Sequence, residues 1–174
     1  KIHQPQPRRL IMGYTHYWYQ KRDFTREEWK QIAVASRAVS LISTHGADSP
    51  PITIRGWDGT GKAQFTNDEI TFNGDKDKLE SHETFRLNRV MPAHNHPIMA
   101  VRAAAGKTDY FAFCKTARKP YDILVCAVLL IAKHVAPTAI DYSSDGDKEE
   151  WSDAELLANK TLDARVLDAM EVFV

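Results

Sequence analysis

A helix apolar on nearly every face, Tyr121 to Val135, stands between two strand-like segments, Asp109 to Lys115 and Ala139 to Ser143, the second entered through Pro137. Fifteen helical residues at a rise of ~1.5 Å cover ~22 Å, close to the ~23 Å of a seven-residue strand, so the helix has the length to return the chain for a parallel crossover. Both strands would then end at one edge of a sheet, where open α/β sheets commonly bind ligands. The turns at those ends differ in charge: Lys115-Thr116-Ala117-Arg118-Lys119 is basic, and Ser143-Ser144-Asp145-Gly146-Asp147 is acidic.

The rest of the chain supplies strands and two further helices. Ile11 to Tyr19 is dense in aromatic and β-branched residues and reads as the first strand. Phe24-Thr25-Arg26-Glu27-Glu28-Trp29 combines a capping box, Thr25 with Glu28, and a hydrophobic staple, Phe24 with Trp29. A helix follows with Ile32, Ala33, Val39 and Ile42 at helical spacing, and Gly46 after His45 supplies its stop. Between Pro51 and Val90 a period of two predicts three antiparallel strands, Ile52–Trp57, Asp68–Phe72 and Glu83–Leu87. Met91 to Gly106 reads as a loop whose Ala-rich tail suits a helical turn. Ser152 and Glu155, bracketed by Trp151 and Leu156, predict a second capping box and a C-terminal helix whose apolar stripe runs through Leu162, Val166, Ala169 and Phe173. The fold class expected is α+β: one domain, residues 12–174, with a mixed, mainly antiparallel sheet, two helices packed on one face and a C-terminal helix at an edge.

Composition narrows the function classes. The 174 residues carry 23 basic and 23 acidic side chains, so the global positive charge of a dedicated nucleic-acid binder is missing, though a local patch is compatible with the total. Cys114 and Cys126 are the only cysteines, and their placement suggests neither a zinc pair nor a disulfide framework; reduced thiols and a cytoplasmic location are expected. No apolar run approaches the ~20 residues that span a bilayer, so no membrane partner is expected. Lys1 to Leu10 holds two prolines and two arginines with little periodicity, as a flexible extension or tag over residues 1–11 would.

The basic turn is the leading candidate site. Lys115, Thr116, Arg118 and Lys119 at a helix entrance suit a phosphate or carboxylate, with Pro120 at a position that needs no N–H; the competing reading is a solvated turn. Asp145 and Asp147 offer oxygen ligands of the kind Mg²⁺ or Mn²⁺ takes, although turn formation or pairing with Lys115 and Arg118 is the favoured explanation. His16 and His82 are candidates for proton transfer, against the plainer role of histidines hydrogen-bonded on a half-buried sheet. Cys114 sits where Lys115 and the following helix could activate a thiolate, whereas Cys126 lies in an apolar run and reads as core. His94 and His96 lack nearby ligands and read as a surface feature.

Gly13-Tyr14-Thr15-His16-Tyr17-Trp18, Phe72-Asn73-Gly74-Asp75, His82-Glu83-Thr84-Phe85, Phe113 to Asp122, and Ser144-Asp145-Gly146-Asp147 with Trp151 form an ordered set of motifs. In these the chain resembles a family of small bacteriophage, bacterial and fungal proteins over Met12 to Trp151. Members of that family begin at the equivalent of Met12, which agrees with an extension before it; Met91 to Lys107 is longer here, so His94 and His96 are not carried over. The resemblance implies no activity. The shared motifs are polar and lie at strand ends and turns, where sites are usually built.

Two functions follow as expectations. The first is binding, or metal-assisted processing, of a phosphate-bearing ligand such as a nucleotide or nucleic-acid end, with Lys115, Arg118 and Lys119 holding the anion. The second is a protein partner without chemistry, as in a viral accessory or structural protein, docked through the aromatic strand or the C-terminal stripe.

Overall fold

A computed structural model describes residues 13–43, 51–93 and 97–163. The predicted extension, the stop at Gly46, the pair His94 and His96 and the stripe beyond Leu162 lie outside these residues. Among the described residues seven strands and four α-helices follow in the order β1 (Thr15–Gln20), α1 (Arg26–Ser43), β2 (Ile54–Arg55), β3 (Gln64–Phe65), β4 (Glu69–Gly74), β5 (Phe85–Asn88), α2 (Pro97–Ala104), β6 (Tyr110–Lys115), α3 (Asp122–Val135), β7 (Ile140–Ser144) and α4 (Ser152–Leu162). The α+β class stands, and the strands divide into two sheets in which every pairing is antiparallel.

The first sheet has the order β6-β1-β7, with His16 opposite Cys114 on one side and Ser144 on the other. Strands β6 and β7 therefore run in the same direction, as the crossover requires, but β1 lies between them. Both end beside the start of β1, so the basic and acidic turns share one sheet edge. The second sheet centres on β4, which pairs with β2, β3 and β5. The segment before β5 ties the sheets together: Glu83 N donates to Lys115 O at 3.2 Å, and Lys115 N donates to Glu83 Oε2 at 2.8 Å.

Helices α1, α3 and α4 pack against one another, and α3 also lies on the first sheet. The apolar character of α3 has this cause: Leu124 through Leu129, Ile131 and Ala132 are all buried. One core runs through both sheets, with Trp18 of β1 5.2 Å from Phe85 of β5 and Phe72 of β4 5.1 Å from the same ring. Among the described residues no helix is long and apolar enough to cross a membrane.

Local signals translate directly where both partners are close in sequence. Glu28 N donates to Thr25 Oγ1 at 3.1 Å and Thr25 N to Glu28 Oε2 at 2.9 Å, while the rings of Phe24 and Trp29 meet at a tilt with centroids 5.7 Å apart. Elsewhere the structure differs. The Ile52–Trp57 strand shrinks to Ile54–Arg55 because Gly56 N turns back to Thr60 O at 2.7 Å. A fourth strand, β3, has only two residues and so carries no visible period. The predicted loop contains α2, anchored by the buried Met99. The second capping box is Asp147 with Glu150, not Ser152 with Glu155: Glu150 N donates to Asp147 Oδ1 at 3.1 Å and Asp147 N to Glu150 Oε2 at 3.2 Å. A 3-10 turn over Glu149–Trp151 precedes α4, so Ser152 already lies inside the helical run.

Candidate functional site

At the shared sheet edge β1 brings His16 under the first turns of α3, fully buried. Its Nε2 lies 2.7 Å from Asp122 Oδ1 and its Nδ1 2.9 Å from Ser144 Oγ. Asp122 can only accept, so in the neutral ring Nε2 carries the proton and Nδ1 accepts from the Ser144 hydroxyl. Thr116 Oγ1 donates to the same Asp122 oxygen, and Gly146 N donates to Ser144 Oγ at 2.9 Å. Cys126, one turn beyond Asp122 on α3, places Sγ 3.5 Å from His16 Nε2. The rings of Tyr14 and Trp151 meet the imidazole edge-on at 5.1 and 5.4 Å. Burial pushes the Tyr14 hydroxyl up from its ordinary range, reinforced by the negative charges of Asp122 and Glu150. The Cys126 thiol is pushed up in the same way, by burial first and Asp122 second.

The basic turn folds back over this cluster. Thr116 N and Ala117 N both donate to Tyr14 O, at 3.0 and 3.3 Å, and Lys119 N donates to Thr116 O at 3.0 Å. Ala117 and Arg118 between them have φ of 51° and 55°, the left-handed region that disfavours side chains. Arg118 then lies over the Tyr14 ring, 4.0 Å from its centroid, with Nη2 2.7 Å from Glu150 Oε1. Lys119 Nζ donates to Leu79 O at 2.7 Å. Lys115 is exposed, while Thr116 is buried. Asp145 accepts from Thr15 N at 3.0 Å and from Tyr17 Oη at 3.2 Å. His82 is exposed and not among the hydrogen-bond partners of His16, its Nδ1 donating to Lys115 O at 2.8 Å. Thus Thr116 joins the His16 cluster through Asp122 and Arg118 reaches it through Tyr14, whereas Asp145 is bonded to Thr15 and Tyr17 on either side of His16, and Asp147 caps the α4 run. Cys114 is buried with Sγ 3.3 Å from Glu83 O, and burial pushes its thiol up, the opposite of an activated thiolate.

A cavity lies elsewhere, between α1 and the turn joining β3 to β4. It measures about 730 Å³ and is lined by Arg26, Lys30, Arg37 and Arg89, with Asp68 the sole carboxylate among the described lining residues and with Trp29 and Phe65 in its walls. Trp29 Nε1 donates to Thr66 O at 2.9 Å, which fixes the turn against the helix. Arg89 pairs with Asp68 at 3.6 Å, and Arg89 N donates to Asp68 O at 2.8 Å. A smaller cavity of about 330 Å³ shares Arg37 and Phe65 and continues towards Leu41 and Ile54.

Sequence reasoning did not assign a role to Tyr14, Asp122, Ser144 or the cleft arginines. Asp122 and Cys126 are four apart on one helix, a spacing that places them on one face, but Ser144 and His16 are separated by 128 positions. The cleft cations come from α1 and from the end of β5, and three of them, Arg26, Lys30 and Arg37, share one helix stripe. Compared with protein-family models, curated proteins and solved structures, the chain matches none of them.

Proposed function

We propose that the chain binds a phosphate-bearing ligand, a nucleotide chain or nucleic-acid strand, in the cleft along α1. The observation that carries this reading is the convergence of four cations on one concave site with a single carboxylate among its described lining residues, in a chain whose charges cancel overall. Among the described residues the Arg26 and Arg37 side chains have no partner, so both guanidinium groups are available for bidentate contact with phosphate. Arg26, Lys30 and Arg37 extend over ~16 Å of helix, which suits successive phosphates better than a single one. The basic turn offers less, because Arg118 and Lys119 already have partners within the chain.

Fluorescence anisotropy with a labelled single-stranded oligonucleotide tests this, with and without Mg²⁺ or Mn²⁺. Binding should weaken with salt at a slope of about −0.7 per phosphate neutralised, or roughly −2 to −3 for three or four cations. Charge reversal at Arg26 and Arg37 together should remove it, while Arg118→Ala should leave it in place. Binding that survives the double reversal, or its absence at low salt, overturns the reading.

A second reading rests on the outer face of the first sheet. Tyr17, Tyr19, Phe111 and Phe113 cluster there with ring centroids 5.4–6.2 Å apart, and Phe113 is 39% exposed. Such a face favours a protein partner. Loss of partner capture on Phe113→Ser, with oligonucleotide binding absent, would move the function to this surface.

A further inference from the structure

We propose that His16, Asp122 and Cys126 form a binding site for a thiophilic divalent cation, Zn²⁺ by its donor set. The three ligand atoms, imidazole nitrogen, carboxylate oxygen and thiol sulfur, lie within 4.8 Å of one another. A tetrahedral zinc with bonds of ~2.0 Å to N and O and ~2.3 Å to S holds its N and S ligands ~3.5 Å apart and its N and O ligands ~3.3 Å apart. The observed His16 Nε2 to Cys126 Sγ distance is 3.5 Å, and the His16 Nε2 to Asp122 Oδ1 distance is 2.7 Å. The N to S separation already fits, and the Asp122 oxygen has to draw back from Nε2 by about 0.6 Å to open the space.

The surroundings agree with coordination in three respects. With a cation on Nε2 the ring proton moves to Nδ1, where Ser144 Oγ stands at 2.9 Å ready to accept it, the arrangement that orients ligating histidines. The ligating carboxylate is held in turn by the Thr116 hydroxyl. One carboxylate and one thiolate neutralise a dication, which a site under Tyr14 and Trp151 needs because uncompensated charge is costly there. Asp122 is 14% exposed in its side chain and gives the cation a way in, and three protein ligands leave a fourth position for water. Sulfur and nitrogen donors select zinc over Mg²⁺ or Mn²⁺. The Asp147 carboxylate, by contrast, is occupied by the backbone of its own capping box.

The site is separate from the α1 cleft, so its test is independent of oligonucleotide binding. Titration of the whole chain with Co²⁺ should give a thiolate-to-metal absorption band that saturates at one equivalent and disappears on addition of Zn²⁺. Zn²⁺ at about a hundred times its Kd should raise Tm by several degrees. Cys126→Ser should abolish the band, Cys114→Ser should leave it, and Ser144→Ala should keep it while weakening affinity about tenfold. X-ray absorption at the zinc edge, recorded on the unaltered chain, should show one sulfur at ~2.3 Å. Absence of a band and of any Tm shift, binding that survives Cys126→Ser through other histidines, or a zinc shell without sulfur each overturns the site.

Discussion

The guanidinium of Arg118 lies over the ring of Tyr14, 4.0 Å from its centroid, while the same side chain reaches Glu150 at 2.7 Å. One residue of the basic turn thus joins the start of β1 to the cap of α4, in a left-handed backbone conformation that it shares with its neighbour Ala117.

That conformation yields the first prediction. Ala117 is exposed, so its methyl group has little packing to lose, and an L-residue in the left-handed region costs about 1–2 kcal/mol. Replacement by glycine removes this cost and adds about 0.5–1 kcal/mol of unfolded-state entropy. Ala117→Gly should therefore be about 0.5–1 kcal/mol more stable in urea denaturation; a destabilised variant would show that the turn is held without strain.

A second prediction concerns the close approach of Gly146 to Tyr14. A Cβ at position 146 would collide with the Tyr14 hydroxyl oxygen and sit 2.8 Å from Cζ. Gly146→Ala should cost about 1–3 kcal/mol, as overpacking does. Adding Tyr14→Phe removes the oxygen and should recover part of the loss, giving a favourable coupling in a double-mutant cycle. Strict additivity would contradict the contact.

The capping assignment gives a third. Asp147→Ala should destabilise by about 1 kcal/mol, whereas Ser152→Ala, whose hydroxyl donates to Glu149 O within the helical run, should change stability far less. Thermal melts of both variants decide between the two boxes, and equal losses would count against Asp147 as the cap.

The fourth concerns acid. The forked bond from Arg22, at 2.8 Å to each Glu28 oxygen, holds the Glu28 carboxyl down at about 2 from an ordinary 4.5, helped by Thr25. A carboxyl depressed in the folded state contributes its full stability above the ordinary value and loses it as pH falls through the folded value. Glu28→Gln should therefore flatten the decline of stability between pH 4.5 and 2. If the slopes of the two proteins coincide over that window, the fork has no energetic role.

The parts legible in sequence are those whose causes lie a few residues apart. Thr25 and Glu28 touch across three positions, and the crossover from β6 to β7 follows from the length of α3. Distance along the chain hides the rest. Nothing near His16 announces that Asp122, Cys126 and Ser144 will surround it, since each reaches it only after β1 has been inserted between the last two strands. The cleft is hidden for a similar reason: Arg26 and Lys30 look like an ordinary solvated helix face until the turn at Thr66–Asp68 and Arg89 close against them. The two-residue β3 and the Asp147 cap show a different limit, in which competing local signals are of equal strength and packing chooses between them.

The insertion of β1 between β6 and β7 also sets an order of events during synthesis. Strand β1 leaves the ribosome well before both of its partners, with Gln20 waiting for Ile140. Until β6 emerges this aromatic strand has both edges unpaired, and until β7 emerges one of them stays open to pairing with another chain. Closing so long a loop is entropically slow, so this half of the molecule should assemble late, after the compact β4 hairpins, and a chain halted before β7 should be prone to aggregate.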